Sequence, residues 1–508
     1  MTNQEIEAAW KYHNSTKHSY ASIRTNPHEL DWENKPLLFK IYPTLEVMRL
    51  PRDVCQTGVS ALSAISNTGL GARGKAVPDL DSLAQLLFLS AGITRSKKYP
   101  GGETFYRAAA CTGALYEIET YVVCGDLPGL AAGVYHFGVA EFGLRALRVG
   151  DYRQILAEAT GNEPAIIHAP VTLICTGTYW RNAWKYQART YRHFGWDNGT
   201  MLANVLAVST SLGLPARVVM GFVDEKVNGL IDVDTKREVA FSLVPVGYVS
   251  STPPKVTGDI PPLDLPLVSL SKSEVDYPAM REVHTASQLL APKKIASWRR
   301  KHAKRKFAEP RGKVFPVNPP PENQLPTDAI EQVILRRGST RRFAQAAITQ
   351  AQLSIILDSA TRGIPADFLD PVGTTVNHLY LVVNDVGGLP SGSYVYHRQT
   401  RALELLRNGQ FRKLAGYLGL EQEMPADASV AVFFLADLHT VLERFGNRGY
   451  RVAQLEAGIL GGKMYLAAYA QRLGATGLTF YDDDVVRFFS PHAEGKSALF
   501  LVALGKSA

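Results

Sequence analysis

The sequence repeats itself at long range. Leu127-Pro128-Gly129, running on to Val134-Tyr135-His136, returns as Leu389-Pro390-Ser391 running on to Val395-Tyr396-His397. Arg189-Thr190-Tyr191-Arg192 returns as Arg448-Gly449-Tyr450-Arg451, and Leu212-Gly213 returns as Leu473-Gly474. The spacing stays at roughly 260 residues, far longer than the period of a solenoid. One fold is therefore used twice, and a chain of 508 residues is long enough for two such cores. By analogy with the two-fold homodimer, the two copies are expected to pair as an internal pseudo-dimer.

The pattern between the repeat markers is mixed. Asp79 opens an amphipathic stretch through Leu89, which predicts a helix. Residues 118–124 and 171–176 are β-rich runs bounded by turn residues and predict strands. A long helix is expected over 191–212, followed by short strands over 216–219 and 239–246. This order predicts an α+β fold, with an antiparallel-rich sheet flanked by helices in each copy. The expected domains are an N-terminal strap (1–50), a first copy (51–249), a Pro-rich basic linker (250–327) and a second copy (328–508).

Charge narrows the function. The net charge of +8 looks like a nucleic-acid signal, but ten Lys or Arg residues against one acid lie between Lys293 and Lys313. The rest of the chain is close to neutral, so no basic stripe points to nucleic acid, and the segment reads as a solvated connector holding a short basic helix over 293–306. No apolar run is long enough for a membrane span, and the polar, acidic N-terminus predicts no secretory signal. Cys55, Cys111, Cys124 and Cys175 have no metal-type spacing, so a cytoplasmic protein with free thiols and no metal site is expected.

Several stretches can carry chemistry. Leu335-Arg336-Arg337-Gly338-Ser339-Thr340-Arg341-Arg342-Phe343, after a predicted helix over 328–335, packs four arginines and two hydroxyls together. Permanent cations with rigid donor forks suit a phosphate. Ala109-Ala110-Cys111-Thr112-Gly113-Ala114 is a small-residue loop that allows close backbone approach to a flat ring. Trp184-Lys185-Tyr186 sets an amine of tunable pKa beside a phenol, which suits acid/base work. Gly477-Leu478-Thr479-Phe480-Tyr481-Asp482 reads as a glycine-led turn that can offer backbone donors. Gly69-Leu70-Gly71-Ala72-Arg73-Gly74 is formally GxGxxG, but Pro78 precedes the helix and no strand leads in, so a flexible loop is the better account. No nucleophile elbow, HExxH pair or Walker motif is present.

In their common order these pieces resemble the nitroreductase-like flavoproteins, and within them the SagB-type branch of azoline-oxidising dehydrogenases. The matching stretches include Tyr12-His13, Asp31-Trp32, residues 90–95, residues 107–116 and Trp184-Lys185-Tyr186 before Arg189. The resemblance implies FMN bound between the copies. Arg336, Arg337, Ser339 and Arg341 would hold its phosphate and ribityl, while Ala110, Cys111, Thr112 and Gly113 would lie against its ring. Gly477, Leu478 and Thr479 would supply donors near the ring edge, and Lys185 with Tyr186 would assist proton removal.

Each copy departs from the pattern. The first has residues 69–74, with Arg73 and Lys75, in place of the arginine cluster. The second reads Arg444-Phe445 at the Lys-Tyr position and Pro371-Val372-Gly373-Thr374-Thr375 at the small-residue loop. One composite FMN site per chain is the simplest expectation. The implied activity is hydride movement between flavin and a small molecule or azoline-containing peptide. A nitro- or quinone-reductase fed by NAD(P)H, and a non-catalytic flavin- or peptide-binding scaffold, stay open beside it.

Overall fold

The structure is a computed structural model describing residues 2–25, 27–67, 76–100, 102–256, 260–300, 309–369 and 374–508. Residues 69–74 with Lys75, residues 371–373 and residues 301–308 of the basic run lie outside the described residues. At its centre two long helices, Thr190–Ser211 and Arg448–Ala470, pack against each other and are buried along almost their whole length.

Glycine makes that contact possible. A Cβ on Gly199 would sit 2.5 Å from the amide nitrogen of Ile459, and one on Gly458 would sit 2.6 Å from the carbonyl oxygens of both Gly195 and Trp196. A Cβ on Gly462 would sit 2.6 Å from that of Ala203. Gly195 and Gly199 on one helix, and Gly458 and Gly462 on the other, lie one turn apart, so a shallow groove on each helix admits the other's backbone.

Each half adds its own antiparallel sheet. The first has six strands in the order Met48–Arg49, Gly143–Val149, Gly133–Gly138, Ile118–Cys124, Val171–Thr178, Glu238–Val246. The second runs Gly474–Leu478, Ser497–Gly505, Val430–Ala436, Asn377–Val383, Gly392–His397, Ala402–Asn408, Val314–Pro316. Apart from the short outer strands the two orders correspond, with the repeat markers at equivalent places. The predicted helix after Asp79 is present as Leu80–Ala91, and the Asp79 carboxylate caps it by accepting from Ser82 N at 2.9 Å.

Three expectations need correction. Residues 216–219 form isolated bridges, Ala216 to Val246 and Val219 to Leu243, and no strand. Their remaining backbone groups turn to the other half: Val218 N donates to Pro365 O and accepts at its carbonyl from Asp367 N. The described residues between 250 and 327 are not all solvated connector. They carry the helices Pro278–Ala286 and Pro292–Arg300, which bury Met280, Val283, Ile295 and Trp298, and their Val314–Pro316 is an edge strand of the second sheet. The short basic helix is present as Pro292–Arg300. Gly477 and Leu478 lie inside a strand, Gly474–Leu478, with Thr479 and Phe480 after it.

The repeated arginines lock the halves crosswise. Arg192 and Arg189 of the first half donate to Asp482 of the second at 2.6 and 3.1 Å. Arg448 and Arg451 of the second half donate to Asp224 of the first at 2.6 and 2.8 Å. All six side chains are buried. Burial alone would raise both acids, but their arginine pairs win and hold Asp482 and Asp224 below the usual carboxylate range. The N-terminal strap bridges the same junction: Ala9 N donates to Asn447 Oδ1 at 2.9 Å, and Tyr12 Oη donates to Ala188 O at 2.6 Å.

Two outcomes follow for stability. Ala outranks Gly in a helix by about 1 kcal/mol, yet Gly458→Ala should destabilise, because overpacking against backbone costs about 1–3 kcal/mol or more. Gly229→Ala, in the helix Asp224–Ile231 with open space at its Cβ, should leave stability unchanged or raise it; urea denaturation compares the two. Because both acids have depressed folded pKa values, their contribution is complete above the unfolded value of about 3.9 and is lost as pH falls below it. Asp482→Asn should flatten that acid limb and cost about 3 kcal/mol at neutral pH.

Candidate functional site

A cavity of about 590 Å³ opens where the two halves meet. The first half contributes Ala110, Cys111, Thr112, Gly113, Lys185 and Tyr186; the second contributes Ser339, Arg341, Gly477, Leu478 and Thr479. Thus eleven of the thirteen residues singled out in the sequence face one space. Lys185 and Tyr186 belong to this cavity and not to its pseudo-symmetric counterpart.

The small-residue loop is held from the central helix. Asp197 accepts from Thr112 N and Thr112 Oγ1 at 2.9 Å, and one turn on Thr200 Oγ1 donates to Ala110 O at 2.7 Å. Burial, then the neighbouring Glu117, pushes the Asp197 carboxyl well above its ordinary value. Burial likewise raises the Cys111 thiol, whose Sγ lies 3.3 Å from Asp197 and 3.4 Å from Glu117; it is no thiolate nucleophile. Gly113 has φ of 65°, and a Cβ there would meet the Tyr186 hydroxyl oxygen at 2.7 Å. Only glycine lets the phenol lie over this turn.

Tyr186 ends the helix Tyr179–Tyr186, with its ring edge-on to His193 at 4.8 Å. Lys185 is exposed at the cavity beside it, Nζ 5.4 Å from the Tyr186 ring. Burial lowers the Lys185 pKa, and the positive charges of Arg341 and Lys35 lower it further. Burial raises that of Tyr186. The N-terminal strap fastens this helix: His28 Nε2 contacts Trp184 O at 2.8 Å, and Trp184 Nε1 donates to Asp31 O at 2.8 Å.

The arginine cluster splits. Arg341 is exposed at the cavity and makes no hydrogen bond or ion pair among the described residues, while Ser339 Oγ lies 3.3 Å from Tyr465 Oη. Arg336 and Arg337 do not line the cavity. Arg336 pairs with Asp328 at 2.6 Å and donates to Tyr469 O; Arg337 is buried and donates to Arg107 O and Ala108 O at 3.0 Å. Successive side chains diverge as the chain leaves the helix Ile330–Arg336, so proximity in sequence overstated the cluster.

Sequence reasoning missed Arg189. It read the residue as a repeat marker, yet Arg189 lines the cavity, and its buried Nε and Nη2 have no partner among the described residues. Thr479 Oγ1 is also buried without a partner among the described residues. Such groups are expensive unless a ligand satisfies them. The echo of Arg189 in Arg448 was visible in sequence, but nothing there marked which copy faces a cavity.

The counterpart site is filled by the chain itself. Met220 N and Gly221 N, equivalent to the Leu478 and Thr479 amides, donate to Asp367 at 2.8 and 2.9 Å. Arg299, from the helix Pro292–Arg300, pairs with Asp367 at 3.0 Å and donates to Gly221 O and Thr160 O at 2.8 Å. Phe445, in the place of Tyr186, is buried against Trp298 with ring centroids 5.0 Å apart. The linker helix thus supplies the groups that occupy this second place.

Removing the plug should be costly. Arg299→Ala leaves the fully buried Asp367 carboxylate without its cation and is expected to destabilise by about 3 kcal/mol. Adding Asp367→Asn should restore part of that loss, which a double-mutant cycle in urea would read.

Comparison with known proteins agrees with this architecture. The Nitroreductase family model matches twice, over residues 90–248 and 334–506, well over half of the chain. A protein named as a nitroreductase in Methanocaldococcus jannaschii is 28% identical over 168 residues, 33% of this chain and 80% of its own. Trifolitoxin-processing protein TfxB of Rhizobium leguminosarum bv. trifolii is 31% identical over 169 residues, 32% of this chain and 45% of its own, so the match spans under half of that relative. It agrees with the SagB-type resemblance. A crystal structure described as a nitroreductase from Anabaena variabilis superposes with a TM-score of 0.78 at 25% identity, covering 99% of both chains. With two matched domains, a shared full-length architecture and an inter-half cavity, the chain belongs to the nitroreductase family, in a tandem two-copy form.

Proposed function

We propose that this chain is an FMN-dependent oxidoreductase with one composite cofactor site, acting on a substrate whose oxidation needs a proton removed beside the flavin. The observation that carries this reading is the meeting of Arg341 and Ser339, the loop 110–113 and the Lys185–Tyr186 pair on one cavity, while the equivalent place is plugged by Arg299.

The donor set fits such a cofactor. Arg341 and Ser339 offer a cation and a hydroxyl to a phosphate, and Thr479 Oγ1 and the open nitrogens of Arg189 are buried polar groups in need of a partner. The loop 110–113 presents almost no side-chain bulk to a flat ring. When bound, FMN would supply the hydride chemistry. The protein's share is positioning and proton handling: Lys185, with its pKa lowered by burial, is the general base, and Tyr186 is held over Gly113 to orient the substrate or relay the proton. An azoline-containing peptide is the finer reading of the substrate, supported by the similarity to TfxB, a protein named for trifolitoxin processing.

Release and quantification of bound flavin tests the reading: about one FMN per chain is expected. Two per chain would contradict the single site, and none after reconstitution would contradict the cofactor. Arg341→Ala should weaken FMN binding about ten- to a hundredfold, from one lost charge-assisted contact. Arg336→Ala should leave it unchanged, since that guanidinium is committed to Asp328. Lys185→Ala should retain flavin and lower kcat about a hundredfold or more. For the parent, kcat/KM should rise with pH through a value below the ordinary lysine pKa of about 10.4. Lys35→Gln should move that limb to higher pH, because it removes one of the charges that favour the free amine.

A further inference from the structure

Away from this cavity, three side chains converge at the end of the second sheet. His397 closes the strand Gly392–His397, Glu404 lies on its neighbour Ala402–Asn408, and His492 follows the helix Asp482–Phe489. One donor atom from each lies within 4.8 Å of the other two. His397 Nε2 and Glu404 Oε2 are 2.7 Å apart, and the two imidazoles stand nearly perpendicular, 6.3 Å between centroids. We propose that His397, Glu404 and His492 form a site for a divalent cation of the zinc type, with a fourth position open to the adjoining cavity.

Two of the three ligands, Glu404 and His492, are oriented from behind. Glu404 Oε1 accepts from Arg311 N and Gly312 N at 3.0 and 2.7 Å, which leaves Oε2 to face the histidines. Tyr380 Oη lies 2.8 Å from His492 Nδ1 and 3.2 Å from the His492 carbonyl oxygen. Both contacts are satisfied when the hydroxyl donates to the carbonyl and accepts from Nδ1–H, so Nε2 keeps its lone pair. Backing of this kind is how metal-binding imidazoles and carboxylates are fixed.

Two imidazoles and one carboxylate make a three-ligand set that zinc accepts with its fourth place left for water or a ligand. A cavity of about 80 Å³ adjoins the group, lined by His378, Arg398 and Lys496 among others. The ordinary alternative is a His–Glu hydrogen bond with a bystander histidine. The first half displays that alternative: His136, equivalent to His397, is buried against Glu119 at 3.0 Å with Arg181 on the same carboxylate, and no metal-type cluster forms there among the described residues. The set in the second half is a departure from the repeat. Cysteine spacing could not reveal it, because its ligands come from separate elements.

The test is zinc chloride binding to the chelator-stripped full chain, by equilibrium dialysis with elemental analysis, and cobalt(II) substitution followed by visible absorption. One zinc per chain and the d–d bands of a four-coordinate cobalt site are expected, both lost in His397→Ala and His492→Ala. Glu404→Gln, which keeps an acceptor for the Arg311 and Gly312 amides, should weaken binding about tenfold or more. His439→Ala, which removes an exposed His439–Glu443 pair, should change nothing. Melting without zinc, matched to the parent, shows which variants are folded. Equal binding by parent, Glu404→Gln and His492→Ala, or no zinc in the parent, would overturn the proposal.

Discussion

Two buried helices touch backbone to backbone at the centre of this molecule, and most other features depend on that contact. Gly195, Gly199, Gly458 and Gly462 remove the side chains that would hold Thr190–Ser211 and Arg448–Ala470 apart. Close approach brings each half's arginine pair onto the other half's aspartate, so that each buried charge is compensated across the junction. It also brings the loop 110–113 of one half opposite residues 339–341 and 477–479 of the other. The candidate site is a product of the junction and belongs to neither half alone.

Fusing two copies in one chain removes a constraint that binds a homodimer, in which both sites must be identical. Here they have diverged. One place keeps glycine at 113, tyrosine at 186 and, at 341, an arginine with no ion pair among the described residues. The other has phenylalanine at 445 beneath Trp298, and the Arg299–Asp367 pair on the equivalent amides. The helix that carries Trp298 and Arg299 comes from the segment between the copies, so the connection itself closes the second place. Asp367 shows the substitution of partners plainly, because it accepts from Met220 N and Gly221 N where the open cavity leaves the Thr479 hydroxyl unpaired.

The repeat, the α+β architecture and the long helices were legible because they rest on local pattern and on echoes such as Leu127-Pro128 with Leu389-Pro390. Lys185, Tyr186 and the loop 110–113 stood out by residue type, an amine beside a phenol and a run of small residues, and they line one cavity. Other features depend on direction and packing. Arg336 and Arg341 look alike in sequence, but one turns back to Asp328 and the other faces the cavity. Residues 216–219 have a strand's composition, yet Val218 bonds to the other half. The linker read as solvated because its basic residues outnumber Met280, Val283, Ile295 and Trp298, the few side chains that dock it. Arg189 passed as a repeat marker since its unpaired nitrogens exist only in the folded site.

The central claim is that one cofactor site is assembled from both halves while its counterpart is closed by the chain. A crystal structure of the chain grown with FMN would test it most directly. The account predicts a single flavin between Gly113–Tyr186 and Ser339–Arg341, with the Arg299–Asp367 pair intact at the other place. A flavin at the Arg299 position with the helix Pro292–Arg300 displaced, or a phosphate bound by Arg336 and Arg337 away from the cavity, would contradict it.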